Sequence, residues 1–104
     1  MPAVSSSLTL SALADSIAHM AAACGFADEA PRDLLLLLCE ETGELARAIR
    51  LAEGLAVAAD TSSASLPAEL ADCAILLVRL ALAYRVDLGA AVLAKCAQNE
   101  RRYG

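Results

Sequence analysis

Acidic side chains stand in two leucine- and alanine-rich stretches of this chain, Glu40, Glu41 and Glu44 in the first and Glu69 and Asp72 in the second. Carboxylates are seldom buried unless a cation or a hydrogen bond compensates for them. Two E-x-x-(E/D) units on two helices could point four carboxylates into one space. That ligand set suits a hard divalent cation such as Mg²⁺, which commonly serves phosphate chemistry.

The acids lie on the apolar sides of their predicted helices. At about 100° per residue, Glu41 shares a side with Leu45, whereas Arg50 marks the opposite side. Glu69 likewise shares a side with Leu76. Two carboxylates 4 Å apart would repel each other by about 4 kcal/mol at an effective dielectric constant of about 20. The pattern therefore favours a metal site, and it leaves open the alternative that the acids are exposed or separately paired.

The composition predicts an all-α fold. Of the 104 residues, 59% are apolar and only 3% are aromatic, and alanine and leucine dominate over β-branched residues. This length corresponds to one domain, residues 1–104. The predicted third helix is apolar nearly all round, which is typical of a helix buried on every side. A chain this small can hardly bury it alone, so we expect a four-helix bundle that is oligomeric, with helices packed across subunit interfaces.

Local end signals predict where the four helices begin and end. Thr9, Ser65 and Asp87 are predicted N-caps of the first, third and fourth helices, and Pro31 favours the start of the second. The predicted ranges are about 10–24, 31–54, 66–85 and 88–102. Residues 1–8 are predicted to be frayed and the serine-rich segment 55–65 to be a flexible loop. The short link between the last two helices predicts that they are antiparallel neighbours.

Charge and cysteine content restrict the functional class. The net charge of −5 disfavours binding to nucleic acid polymers or anionic membranes, because no basic stripe is available to replace counterions. The four cysteines are widely spaced and form no C-x-x-C pair, so they are predicted to be small core or interface residues in a reducing compartment. No run approaches the length of about 20 apolar residues that spans a bilayer. We therefore expect a soluble cytoplasmic protein.

The acidic motifs resemble those of a known family. The segments Leu38-Cys39-Glu40-Glu41-Thr42-Gly43-Glu44-Leu45 and Ala68-Glu69-Leu70-Ala71-Asp72 are similar to the E-x-x-E…E-x-x-D motifs of MazG-like nucleotide pyrophosphohydrolases. The similarity continues through Tyr84-Arg85-Val86-Asp87-Leu88 and into a Lys95-x-x-x-Asn99-x-x-Arg102-Tyr103 segment. It covers roughly residues 33–103, and it is more specific for the all-α pyrophosphohydrolase superfamily than for any one substrate.

The resemblance implies a Mg²⁺-dependent enzyme that cleaves a nucleoside triphosphate between the α and β phosphates. Its metal ligands would be Glu41, Glu44, Glu69 and Asp72, with Mn²⁺ as a substitute for Mg²⁺. Glu41 would also take part in catalysis, and Glu40 would position a water molecule or act as the base. The residues agree with this chemistry, because no histidine, serine or cysteine is placed as an activated nucleophile and water is the natural attacking group.

The side chains that would contact the rest of the substrate are less distinct. Lys95, Asn99 and Arg102 lie on one face of the predicted fourth helix, and the resemblance implies that they hold phosphate or sugar. The alternative is a solvated helix end stabilised by the helix dipole. Arg79 either pairs with a carboxylate or reaches a phosphate. The chain has no tryptophan, and Phe26 is predicted to serve packing rather than base stacking.

The function predicted from these observations is hydrolysis of ribo- or deoxyribonucleoside triphosphates to monophosphates and pyrophosphate, as house-cleaning of the nucleotide pool. The active form is predicted to be a homodimer or homotetramer. One alternative is an enzyme that resembles phosphoribosyl-ATP pyrophosphohydrolase, which belongs to the same superfamily. The other is a non-catalytic helical oligomer that binds a protein partner.

Overall fold

The computed structural model describes residues 8–55 and 65–104, and within these ranges all regular structure is helical. The four described helices are α1 (Leu10–Ala23), α2 (Pro31–Ala52), α3 (Leu66–Ala83) and α4 (Leu88–Tyr103). Each predicted helix is therefore present, and its ends differ from the predicted ends by at most two residues. The predicted frayed segment lies outside the described residues except for position 8, and the predicted loop does so except for positions 55 and 65.

Local capping explains why the helices start where the sequence predicts. The hydroxyl of Thr9 accepts a hydrogen bond from the Ala12 amide at 3.0 Å, and the Asp87 carboxylate accepts one from the Ala90 amide, also at 3.0 Å. The Ser65 hydroxyl does the same at the start of α3. These side chains satisfy amide groups that the first turn of a helix leaves unpaired.

The centre of the fold is the pair formed by α2 and α3, which make the most extensive helix–helix contact in the described part of the chain. Leu34 and Ala48 from α2 are each only 2% exposed, and Cys73, Leu76 and Val78 from α3 are also buried. Helix α1 packs on α3 and adds a smaller apolar contribution through Ile17 and Ala21. This packing holds the two acid-bearing helices side by side.

Helix α4 has a different environment. It packs against α1, where Gly89 lies beside the Leu10 side chain, and none of its residues is buried. The expectation that α3 and α4 pack as antiparallel neighbours is wrong for this chain, because they share no extensive contact. The reversal between them includes Arg85 in the left-handed region (φ 56°), and this conformation helps to set the direction in which α4 leaves.

Among the helices of residues 8–55 and 65–104, none combines the length and the apolar character that crossing a membrane requires. The four cysteines carry free thiols, of which only Cys73 is buried.

Candidate metal and active site

Three of the predicted acidic residues converge at the contact between α2 and α3. One carboxylate oxygen from each of Glu41, Glu69 and Asp72 lies within 4.8 Å of the others. Glu41 comes from the middle of α2, whereas Glu69 and Asp72 lie one turn apart near the start of α3. Because neighbouring helices supply them, the packing of the α2–α3 pair fixes the geometry of the cluster. We call these three residues the acid cluster.

The remaining two predicted acids border the same space without joining the closest group. Glu40, Glu44 and Gly43 line an open cavity of about 600 Å³ together with the acid cluster. Both Glu40 and Glu44 are exposed. The structure thus places all five acids around one cavity, with oxygens of three of them within 4.8 Å of one another and the other two at its rim.

The acid cluster is electrostatically strained. Partial burial raises the pKa of Glu41, and the neighbouring charges of Asp72, Glu69 and Glu44 raise it further. One oxygen of Glu69, Oε2, is buried without a hydrogen-bond partner.

These features fit a divalent cation. A buried carboxylate oxygen without a partner is costly unless a cation or a donor approaches it. Carboxylate oxygens are the ligands that hard divalent cations prefer, and three from two rigid helices supply much of one coordination shell. Glu41, Glu69 and Asp72 are therefore the residues of the described chain best arranged to hold a metal.

The buried thiol next to the acid cluster is not an activated nucleophile. Burial raises the pKa of the Cys73 thiol, and the carboxylates of Glu41, Glu69 and Asp72 raise it further. Since the thiolate is the reactive form, this shift disfavours Cys73 as a nucleophile. Water as the attacking group stays a prediction.

The predicted substrate contacts on α4 do not lie around this cavity within one chain. Lys95, Asn99 and Arg102 are exposed, and none lines the cavity of the acid cluster. Lys95 makes a long hydrogen bond of 3.4 Å to Gln98, and the Arg102 guanidinium lies 5.2 Å from the ring centroid of Tyr103. Their role in substrate binding stays a prediction.

Arg79 has a carboxylate partner outside the acid cluster. Its Nη2 atom lies 2.7 Å from Glu29 Oε1 and donates to the backbone carbonyl of Phe26 at 2.7 Å. The guanidinium carbon also lies 5.8 Å from the centroid of the Phe26 ring. Of the two alternatives that the sequence left for Arg79, the structure therefore shows the ion pair. Glu29 was not predicted, because the two partners are 50 residues apart and no helical spacing links them.

The all-α fold, with paired acids on two packed helices, agrees with what comparison with known families finds. Residues 29–103 match the model of the MazG nucleotide pyrophosphohydrolase domain. The match covers well over half of the chain, so the chain belongs to the MazG nucleotide pyrophosphohydrolase family. This confirms the resemblance drawn from the acidic motifs.

Two mammalian proteins are similar to a large part of the chain. In an alignment of 77 residues that covers 70% of this chain, it is 44% identical to dCTP pyrophosphatase 1 of Bos taurus and 44% identical to dCTP pyrophosphatase 1 of Homo sapiens. The matched region spans 46% and 45% of those two proteins, respectively. The chain thus corresponds to somewhat less than half the length of these relatives.

Proposed function

We propose that this protein is a Mg²⁺-dependent nucleoside triphosphate pyrophosphohydrolase. It converts a ribo- or deoxyribonucleoside triphosphate and water to the monophosphate and pyrophosphate, as house-cleaning of the nucleotide pool in the cytoplasm. The observation that carries the proposal is the convergence of Glu41, Glu69 and Asp72 within 4.8 Å, with one buried carboxylate oxygen of Glu69 unpartnered. Membership of the MazG family supports the same reaction.

The acidic residues have two roles in this proposal, metal binding and activation of the attacking water. Glu41, Glu69 and Asp72, together with Glu44 at the rim of the cavity, would hold Mg²⁺, and Mn²⁺ could replace it. Bound Mg²⁺ supplies charge neutralisation for the triphosphate and lowers the pKa of water. Glu40, on the rim one turn before Glu44, accepts a proton from the attacking water or orients it. Glu41, which lines the same cavity, would also take part in the activation of this water.

The active form in this proposal is a homodimer or homotetramer. Large apolar side chains are exposed on three helices of the isolated chain, and their exposed fractions are Leu36 58% on α2, Leu77 51% on α3 and Leu93 73% on α4. Apolar surface of this extent is typical of protein interfaces. Association would also allow Lys95, Asn99 and Arg102 of one subunit to approach the acid cluster of another.

Deoxycytidine triphosphate is the first substrate to test, because both similar mammalian proteins are named for it. A reaction that resembles phosphoribosyl-ATP hydrolysis uses the same metal chemistry and is tested in the same nucleotide panel. A non-catalytic partner-binding role would leave every nucleotide intact. The unpartnered oxygen of Glu69 favours the enzyme over this last candidate.

The deciding experiment incubates the full chain with Mg²⁺ and a panel of nucleoside triphosphates, and separates pyrophosphate from orthophosphate among the products. We expect pyrophosphate, and we expect Glu41→Gln and Asp72→Asn to abolish its release while the helical circular dichroism is retained. Orthophosphate as the primary product, or unchanged turnover in both variants, would overturn the proposed reaction.

A further inference from the structure

Gly43 lies in the middle of α2, and the described part of the chain gives no structural reason for a glycine there. Gly25 and Gly54 have positive φ angles of 78° and 71°, which side chains disfavour. A Cβ at Gly89 would lie 3.5 Å from the Leu10 Cβ, so that glycine belongs to the contact between α4 and α1. Gly43 has no positive φ, and a Cβ built on it would project into open space, with no packing partner within 4 Å among the described residues.

This glycine is unfavourable for the helix that contains it. A glycine in a helix interior loses more conformational entropy on folding than an alanine does. Because the position has room for a methyl group, alanine would make α2 more stable. The amides of a helix interior are already hydrogen-bonded within the helix, so Gly43 has no free donor for a ligand. What Gly43 provides is space.

That space lies at the rim of the cavity that contains the acid cluster. Gly43 lines this cavity next to the exposed carboxylates of Glu40 and Glu44. Glu40 and Gly43 are three residues apart on α2 and are therefore neighbours on the helix surface. A Cβ alone would extend about 1.5 Å from the Cα. Without it, a bound group can lie directly against the backbone of α2.

We propose that the absence of a side chain at Gly43 lets the phosphate chain of the substrate lie against α2. Carboxylates repel a phosphate, so the phosphate can enter this cavity only together with the divalent cation that the acid cluster would hold. The inference rests on the proposed function, since it uses a triphosphate bound beside that cation. It adds to the acidic residues a position that acts through its shape and carries no charge.

The experiment compares wild type with Gly43→Ala in the full chain. Without metal, Gly43→Ala should raise the melting temperature by about 2–8 °C, because alanine is the better helix former. Calorimetric titration with inorganic pyrophosphate in the presence of Mg²⁺ should show affinity weakened by about 10-fold. We expect kcat/KM to fall by about 10- to 100-fold, as a displacement of about 1 Å can cause. Titration with Mg²⁺ alone should change less than about twofold, because the acid cluster is intact.

The matched control is Ala46→Gly, which makes the reverse change in the same helix. Ala46 is exposed and does not line the cavity of the acid cluster. This variant should lower the melting temperature, while pyrophosphate affinity and kcat/KM stay within about twofold of wild type. Loss of pyrophosphate affinity in Ala46→Gly as large as in Gly43→Ala would overturn the inference, because the stiffness of α2 and not the space at Gly43 would then govern binding.

Three further results separate the inference from its alternatives. Unchanged pyrophosphate affinity in Gly43→Ala would overturn it. So would a smaller mass of Gly43→Ala than of wild type in light scattering, because the glycine would then serve contact between subunits. If wild type hydrolyses no nucleotide, the proposed function fails, whereas weaker binding of pyrophosphate with Mg²⁺ to Gly43→Ala than to wild type still supports the inference.

Discussion

The α2–α3 pair and helix α4 differ in how much of their environment one chain supplies. The α2–α3 pair has a buried core of its own and brings three carboxylates within 4.8 Å. Helix α4 contains no buried residue and packs on α1, away from the cavity of the acid cluster. The acid cluster is thus complete within a single chain, whereas Lys95, Asn99 and Arg102 of α4 could serve the same site, as we propose, only from a neighbouring chain.

The largest expected effect tests the α2–α3 side of this comparison. Glu69→Gln removes a charge from the acid cluster while it keeps the size of the side chain. We expect kcat/KM for pyrophosphate release to fall by more than about 100-fold, since changes to residues that merely support metal ligands already cost about 10- to 100-fold. The circular dichroism spectrum should stay helical, because the change leaves the apolar packing of α3 in place.

The matched control for Glu69→Gln is Glu100→Gln, which removes one carboxylate from the exposed helix α4. Because Glu100 is a surface residue, we expect kcat/KM of this variant to stay within about twofold of wild type. Equal losses in the two variants would mean that net charge, and not the acid cluster, governs turnover.

The second prediction tests whether α4 has a neighbour. Leu93→Asp places a charge at the most exposed leucine of the described helices. If this leucine is buried between subunits, the unpaired charge costs about 3–5 kcal/mol and weakens association by at least about 100-fold. Light scattering coupled to size-exclusion chromatography should then show monomers at concentrations where wild type is oligomeric.

Gln98→Glu is the control for Leu93→Asp, because it adds the same charge on the opposite side of α4. An unchanged oligomer in Leu93→Asp would show that α4 does not form the interface, and the exposed apolar side chains of α2 and α3 would then be the next surfaces to test.

The comparison between these regions also shows which parts of the fold the sequence could predict. Helix ends were predictable because Thr9, Ser65 and Asp87 cap amide groups only three residues away. The convergence of the acids followed from their shared apolar sides and from the family motifs. The placement of α4 did not follow, since it depends on the turn at Arg85 and on packing against α1. The ion pair of Arg79 with Glu29 could not be predicted from the sequence either, because only the tertiary fold brings residues 50 positions apart together.

A third prediction concerns metal binding without turnover. Mg²⁺ at about 100 times its dissociation constant should stabilise the folded protein by about 2.7 kcal/mol. For a domain of this size, each kcal/mol raises the melting temperature by about 4–8 °C. Differential scanning calorimetry at fixed protein concentration should show an increase of about 10–20 °C in wild type and none in Asp72→Asn. A melting temperature that changes neither with added Mg²⁺ nor with EDTA would count against a metal site between α2 and α3.

The smallest effect comes from the charge repulsion within the metal-free acid cluster. Glu41→Gln removes the carboxyl whose pKa is raised by burial and by Asp72, Glu69 and Glu44. We expect the metal-free variant to be more stable than wild type at neutral pH by about 0.5–1 kcal/mol, the scale of partly solvated charge pairs. Urea denaturation in EDTA measures the difference, and Mg²⁺ should reverse it, because the variant lacks a ligand.

The sign of the pH dependence separates this repulsion from a simple packing gain. A carboxyl whose pKa is higher in the folded than in the unfolded protein binds more protons when folded, so it lowers the free energy of unfolding as pH rises from its ordinary value of 4.5 through the raised value. The stability difference between Glu41→Gln and wild type should therefore be largest at neutral pH. It should shrink as the pH falls, because protonated Glu41 becomes neutral like glutamine. A difference that stays constant with pH would show that the gain comes from packing between α2 and α3 and not from relieved repulsion.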